Sequence, residues 1–276
     1  MDRTTVLNRT FTDTHCHLDF DVFSEDRQET LERAYTAGMA FLLNPGINLE
    51  TSRSAVHLCT LNKGVFAAIG VHPNDALTWQ TDTLEELHKL AKQKGVVAIG
   101  EIGLDYYRDR APRDLQQRTF QEQLLLAAEM NLPVIIHNRQ ASEDLFNILD
   151  KWHQELIRTG NPLGKLPGVL HSFSDSKHYA QRAIEMGFYL GVNGIITYPN
   201  AQETRRVIQS LSLGSLLLET DAPFLAPQVR RGKRNEPAFI PFIMEQIAEL
   251  YDQSVDQIAA ITSQNAANLF KWGETL

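Results

Sequence analysis

Pro133-Val-Ile-Ile-His137 is a five-residue stretch in which a proline opens an apolar run and a histidine ends it. Proline lacks an N–H and is harmless at the first position of a strand. The run is continuous rather than alternating, so both faces of the strand are expected to be buried, as in a parallel sheet. Residues 113–130 before it and 142–156 after it carry helical apolar spacing. Helix, buried strand, helix is the unit of an α/β fold.

The same unit repeats outward in both directions. Strands are expected at 11–17, 40–44, 65–70, 96–103, 133–137, 168–172, 188–192 and 215–220, with further helices at 26–37, 83–93 and 175–186. Gly38, Gly95 and Gly187 follow helices, where a C-terminal cap calls for positive φ. Eight such strands alternating with helices predict a closed (β/α)8 TIM-type barrel, with a doubly wound open sheet as the rival. A proline-rich, basic loop at 222–237 and two helices near 240–251 and 254–270 follow the last strand. A barrel of this kind typically takes about 250 residues, so residues 1–276 read as one domain.

Composition narrows the class. Apolar residues make up 43% and charged residues 22% of the chain, and a chain of this length buries a core without disulfide staples. The two cysteines, Cys16 and Cys59, fit no zinc-knuckle or CxxC spacing. The N-terminus shows no apolar leader, and no run is long enough to span a bilayer, which points to a reducing, cytoplasmic location with no membrane partner. A net charge of −8 argues against coating duplex DNA through many phosphate contacts, but leaves room for a local basic patch.

The polar residues at strand ends carry the chemistry. His15 and His17 lie two apart, and in a strand such residues share a face. Glu101, His137, His171 and Asp221 sit near the ends of the fourth, fifth, sixth and eighth expected strands. All six would meet at the C-terminal mouth, where barrel enzymes keep their active sites. Singly, each has a bland reading: a hydrogen-bonded histidine, a buried acid, or an Asp that caps a helix. Together, four imidazoles and two carboxylates suit two divalent ions with positions left open for water. Imidazole-rich ligation favours zinc, manganese, cobalt or iron over magnesium. Cys16 alternates away from this set and reads as a small buried hydrophobe.

These residues fall in stretches that resemble the TatD family of metal-dependent deoxyribonucleases: Asp13-Thr-His-Cys-His-Leu-Asp19, Gly70-Val-His-Pro73, Gly100-Glu-Ile-Gly-Leu-Asp-Tyr106, Pro133-Val-Ile-Ile-His137, His171-Ser-Phe173, Glu219-Thr-Asp-Ala-Pro223 and Arg231-Gly-Lys-Arg-Asn-Glu-Pro237. The resemblance runs from about 13 to 270, with the YjjV-type bacterial branch as the nearer match within the family. It implies an amidohydrolase-like barrel with a binuclear centre. His15 and His17 with Glu101 and Asp221 would hold one ion; Glu101, His137 and His171 would hold the other, with Glu101 as the bridge. Family members are commonly assayed with magnesium, so zinc, manganese and magnesium all stand as expected metals. The implied activity is 3′–5′ exonuclease cleavage of phosphodiester bonds in single-stranded DNA, or RNA, by a metal-activated water.

Catalytic roles fall to Glu101 and Asp221, with Asp221 the expected general base. Arg139, Lys233 and Arg234 are the expected phosphate contacts, with Arg230 and Arg231 nearby, and Arg108, Arg110 and Arg113 after the fourth strand. Arg110 and Arg113 read more plainly as the solvated start of a helix. His72 would bind substrate or support Glu101. Tyr106 and Phe173 are candidate stacking surfaces, although core packing is the commoner use of such aromatics. Asn193, Tyr198 and Asn235 are candidate polar contacts. The same metal site would also serve a small amide, ester or lactone substrate, and a barrel that only binds is the third reading. No obligate protein partner is evident.

Overall fold

The structure, a computed structural model, describes residues 10–272 except Asp109. The expectation about the extreme N-terminus, residues 1–9, lies outside the described residues. Eight strands appear: β1 (Phe11–Asp13), β2 (Met39–Pro45), β3 (Val65–Ile69), β4 (Val96–Asp105), β5 (Val134–Arg139), β6 (Gly168–Leu170), β7 (Tyr189–Val192) and β8 (Leu216–Leu218). Between them run α1 (Arg27–Thr36), α2 (Leu49–Leu61), α3 (Thr83–Ala91), α4 (Arg113–Met130), α5 (Ser142–Thr159), α6 (Lys177–Glu185) and α7 (Gln202–Gln209); α8 (Ile240–Tyr251) and α9 (Val255–Phe270) follow β8. Every neighbouring pair of strands is parallel and in sequence order. This is the TIM-type barrel the strand count predicts. Gly38, Gly95 and Gly187 have φ of 107°, 87° and 89°, which residues with a Cβ rarely adopt.

The barrel closes through a seam of single contacts rather than a long ladder. Thr14 N–H donates to the Leu218 carbonyl at 3.1 Å, Asp221 N–H to His15 at 2.8 Å and His17 N–H to Ala222 at 2.8 Å. Cys16 and Ala222 form an isolated parallel bridge. The strands expected at 11–17 and 215–220 are therefore shorter than their apolar patterns suggest. The cause is Asp13, whose buried carboxylate accepts from Thr220 N–H at 2.9 Å and Thr220 Oγ1–H at 2.5 Å. A side chain takes the place of a backbone partner there, and regular pairing stops.

Alternation along the strands divides the core. Leu43, Phe66, Val97, Ile135, Val169 and Leu217 cluster inside the barrel, while Leu42, Ala67, Ile69, Ile136, Leu170 and Leu190 pack beneath the helices. Trp272, wholly buried, lies 5.1–5.5 Å from the rings of Phe270, Phe41 and Phe66 and plugs the N-terminal end. The interior is thus solid below and open only at the C-terminal mouth. Among the described residues no helix is long and apolar enough to cross a membrane.

Candidate metal centre

His15 and His17 lie just past β1 on the seam, and the seam hydrogen bonds aim both rings into the mouth. Their Nε2 atoms stand 3.2 Å apart. Glu101, on β4, lies between two groups of imidazoles. Its Oε2 is 3.4 Å from His15 Nε2 and 3.6 Å from His17 Nε2. Its Oε1 is 2.9 Å from His137 Nδ1 and 3.8 Å from His171 Nε2. Asp221 Oδ1 is 3.7–3.9 Å from the Nε2 atoms of His15, His17 and His171. The six expected ligands therefore do converge. Asp221 takes φ of 55°, and Ser172, next to His171, takes 51°; backbone strain of this kind clusters at functional sites.

Around His15, His17, Glu101 and Asp221 the spacing fits a cation better than a proton, whereas His137 stands at hydrogen-bond distance from Glu101. Charge-assisted hydrogen bonds run about 2.7–2.9 Å. Ligand atoms each about 2.1 Å from one tetrahedral ion stand about 3.4 Å apart. The contacts among His15, His17, Glu101 and Asp221, at 3.2–3.9 Å, match the second figure. Burial lowers the pKa of His15 well below its usual value and that of His17 to about 4, so both imidazoles are neutral and free to ligate. Burial pushes Asp221 up to about 7, against the pull of His171, with Glu101 and Glu219 raising it further.

Two carboxylates that sequence reasoning did not single out complete the site. Asp105 Oδ2 lies 3.2 Å from His137 Nε2. Glu219 Oε1 lies 2.9 Å from His171 Nδ1 and accepts from Ser172 N–H at 2.6 Å. Asp105 bonds the far nitrogen of His137, and Glu219 sets a negative charge against the far nitrogen of His171 without an aligned hydrogen bond; carboxylates so placed orient histidine ligands and raise their basicity. Burial alone would lower the pKa of His171, but Glu219, Asp221 and Glu101 outweigh it and push it up to about 10. Gly191 makes room for this: a Cβ there would stand 2.3 Å from Glu219 Oε2. The motif spacing contains both acids, but nothing in a sequence shows which imidazole an acid will face.

His72 behaves differently. Asn74 N–H donates to its Nδ1 at 3.0 Å, and burial lowers its pKa. A neutral ring that accepts at Nδ1 carries its proton on Nε2, and Nε2 faces Glu101 Oε1 at 3.5 Å. His72 is thus a hydrogen-bond donor at the rim, with no lone pair aimed at an ion.

The mouth opens into a cavity of about 710 Å³, with Arg108, Arg110 and Arg139 on one side and Phe20 and Phe224 on another. Arg139 lies over the Tyr107 ring at 4.0 Å. Arg110, expected to be a bystander, lines the cavity, while Arg113 covers Tyr106 at 4.2 Å. Lys233 and Arg234 are not in the lining. Lys233 is exposed, and Arg234 is committed to Asp26 through bonds of 2.6 and 2.7 Å, with a third to the Val22 carbonyl. Its guanidinium is spent on anchoring the last loop to α1, which corrects the expectation of a phosphate clamp. Tyr106, bonded to Asp144 and covered by Arg113, offers no free face at the mouth, and Phe173 lines a separate, smaller cavity. Asn193, Tyr198 and Asn235 serve internal bonds to Ser172, Ala226, Thr220 and Phe224. Cys16 is wholly buried.

Residues 12–271 match the family model described as TatD related DNase. An uncharacterized metal-dependent hydrolase, YabD, of Bacillus subtilis (strain 168) is 39% identical over 259 residues, covering 94% of this chain and 98% of the relative. The 3′-5′ ssDNA/RNA exonuclease TatD of Escherichia coli (strain K12) is 37% identical over 254 residues, covering 90% and 94%. The crystal structure of YjjV, a TatD homologue from the same bacterium, superposes with a TM-score of 0.88 at 36% identity, covering 96% of this chain and 99% of that one.

Proposed function

The chain belongs to the TatD family of metal-dependent hydrolases, and from that premise we propose that it is a two-metal exonuclease acting from the 3′ end of single-stranded DNA or RNA. The observation that carries this reading is Glu101, whose Oε2 faces His15 and His17 and whose Oε1 faces His137 and His171, at the floor of an arginine-flanked mouth. His15, His17, Glu101 and Asp221 would hold one ion, and Glu101, His137 and His171 the other. Bound there, zinc, manganese or magnesium would supply a water that ionises near neutral pH and positive charge for the phosphoryl and leaving oxygens.

The chain's own groups do the rest. Arg108, Arg110 and Arg139 place the phosphate chain along one wall of the mouth. Asp221, partly open to the mouth at 14% side-chain exposure, takes a proton from the attacking water. His72 donates from Nε2 to a phosphoryl oxygen or to Glu101, and holds its neutral tautomer throughout. Asp105 and Glu219 keep two imidazoles aimed at the reacting centre.

The test is metal content and cleavage measured on one preparation, using 3′-labelled and 5′-labelled single-stranded oligonucleotides, for wild type and Glu101→Ala. Two ions per chain and stepwise shortening from the 3′ end, both lost in the variant, are expected. Bound metal with hydrolysis of small esters or lactones and no oligonucleotide cleavage would replace this reading with that of a small-molecule hydrolase.

A further inference from the structure

An aromatic column leads out of the metal centre. Phe20 stacks on the ligand His17, with centroids 4.6 Å apart and planes 16° apart. Phe224 stands edge-on to both, 6.2 Å from Phe20 and 6.4 Å from His17. Phe20 and Phe224 line both the mouth and a second cavity of about 750 Å³ beside it. Phe224 is 52% exposed, and what sets it apart from other exposed apolar side chains is its place on the rim of the metal centre.

The turn that carries the ring is pinned at both of its polar backbone groups. Phe224 N–H donates to the Asp221 carbonyl at 2.8 Å, and its own carbonyl accepts from Asn235 Nδ2 at 2.6 Å. The same short turn therefore sets both a metal ligand and the exposed aromatic.

Charge decides what lies on that ring. The mouth wall away from the phenylalanines carries Arg108, Arg110 and Arg139. The cavity beyond Phe224 carries Asp19, Asp21 and Glu50, and its one arginine, Arg234, is already paired with Asp26. A phosphate is repelled from this second cavity and drawn to the arginine side. An uncharged, flat group attached to that phosphate fits the phenylalanine side.

We propose that Phe224, backed by Phe20, is the stacking subsite for the nucleobase next to the scissile phosphate. This rests on the nuclease reading above and deepens it. One nucleotide then straddles the mouth, phosphate toward the arginines and metals, base on the Phe224 face. Stacking needs only a π-face, so the subsite grips every base and makes no sequence choice.

The test compares wild type, Phe224→Ala and Phe224→Tyr on three substrates: an ordinary single-stranded oligonucleotide, the same oligonucleotide with an abasic 3′-terminal nucleotide, and a chain of the same length built only of abasic nucleotides, which keeps the phosphodiesters and offers no π-face. Phe224→Ala is expected to raise KM for the ordinary oligonucleotide roughly 10- to 100-fold, the weight of one base–aromatic stack. It should leave hydrolysis of the wholly abasic chain within about twofold. The abasic end should be poor for wild type and no poorer for Phe224→Ala, and Phe224→Tyr should restore KM. Unchanged KM in Phe224→Ala overturns the proposal. So does an equal loss on all three substrates, which would make the ring a support for the metal turn. Metal-loaded wild type that cleaves none of the three is a separate result: it sinks the nuclease reading and the subsite with it.

Discussion

Replacing Glu219 with Gln should weaken binding of one metal ion and spare the other. Glu219 touches neither the expected ions nor the mouth; it is wholly buried behind His171. Glutamine keeps the shape and can still accept from Ser172 N–H, but it removes the negative charge facing His171 Nδ1. It also places an NH2 where Glu219 Oε2 is buried without a hydrogen-bond partner among the described residues. Loss of such an orienting carboxylate typically costs 10- to 100-fold in metal affinity, which is about 1.4–2.7 kcal/mol. Calorimetric titration of metal-free protein with zinc or manganese should resolve this as a shift of one binding step. Gly191→Ala provides the matched perturbation with no change of charge. Its Cβ would stand 2.3 Å from Oε2 and 2.7 Å from the carboxyl carbon, so Glu219 must move away from His171 and the same step should weaken. Overpacking adds about 1–3 kcal/mol of lost stability, which urea unfolding of the metal-free proteins reports separately. If both variants bind both ions within twofold of wild type, Glu219 does not orient His171. If only Gly191→Ala is impaired, position matters and charge does not.

Thr220→Val should destabilise the protein by about 1–3 kcal/mol in urea unfolding, because Asp13 loses the hydroxyl that reaches it across the seam. Arg139→Ala should flatten the salt dependence of oligonucleotide binding by about 0.7 in the log–log slope, whereas Arg234→Gln should leave the slope unchanged and lower stability instead. The Arg234 and Arg33 guanidiniums hold Asp26 well below its ordinary value of 3.8; a depressed carboxylate contributes its stability above 3.8 and loses it as pH falls toward the folded value, so Arg234→Gln should matter less in unfolding at pH 3 than at pH 7. The Asp26 side chain is 36% exposed, which keeps that difference to about 1 kcal/mol or less. Removing metal with a chelator should lower the melting temperature, since saturation a hundredfold above Kd stabilises the fold by about 2.7 kcal/mol for one ion.

The barrel was legible because its strands are unusually plain. Runs such as 133–137 and 65–70 are apolar on both faces, and a buried parallel strand leaves that mark on sequence. The convergence of the six polar side chains was legible for the related reason that polar residues at the ends of such runs stand out. The limits of the end strands were not legible, because Asp13 replaces a ladder partner with a side chain 207 residues from its donor. Arg234 misled for a similar reason: proximity to the last strand says nothing about which acid will capture a guanidinium, and Asp26 lies 208 residues away. Asp105 and Glu219 sit inside quoted motifs, yet their task depends on ring orientation, which is a tertiary fact. Phe224 bears no mark in the sequence, because its exposure at the rim is a tertiary fact.

The seam joins fold and chemistry in one structure. Pairing the first strand with the last closes the longest loop in the chain, so it carries the largest loop-closure entropy of any strand pairing. His15 and His17 lie on one side of that seam and Asp221 on the other, tied by the Asp221–His15 backbone bond. The donor set therefore exists only once the barrel is closed, and an ion held by both sides contributes its binding energy to closure itself. The reverse also holds. Asp13 and Asp221 are both pushed up to about 7, chiefly by burial, which means the metal-free seam keeps carboxylates in an environment that disfavours their charge. Asp13 offsets this with hydrogen bonds from Thr220 and His15. Among the described residues Asp221 has no comparable set of donors; imidazole nitrogens stand 3.7–3.9 Å from it. A positive ion at the centre would add to the pull of His171 and satisfy that carboxylate while leaving its outer face open to the mouth.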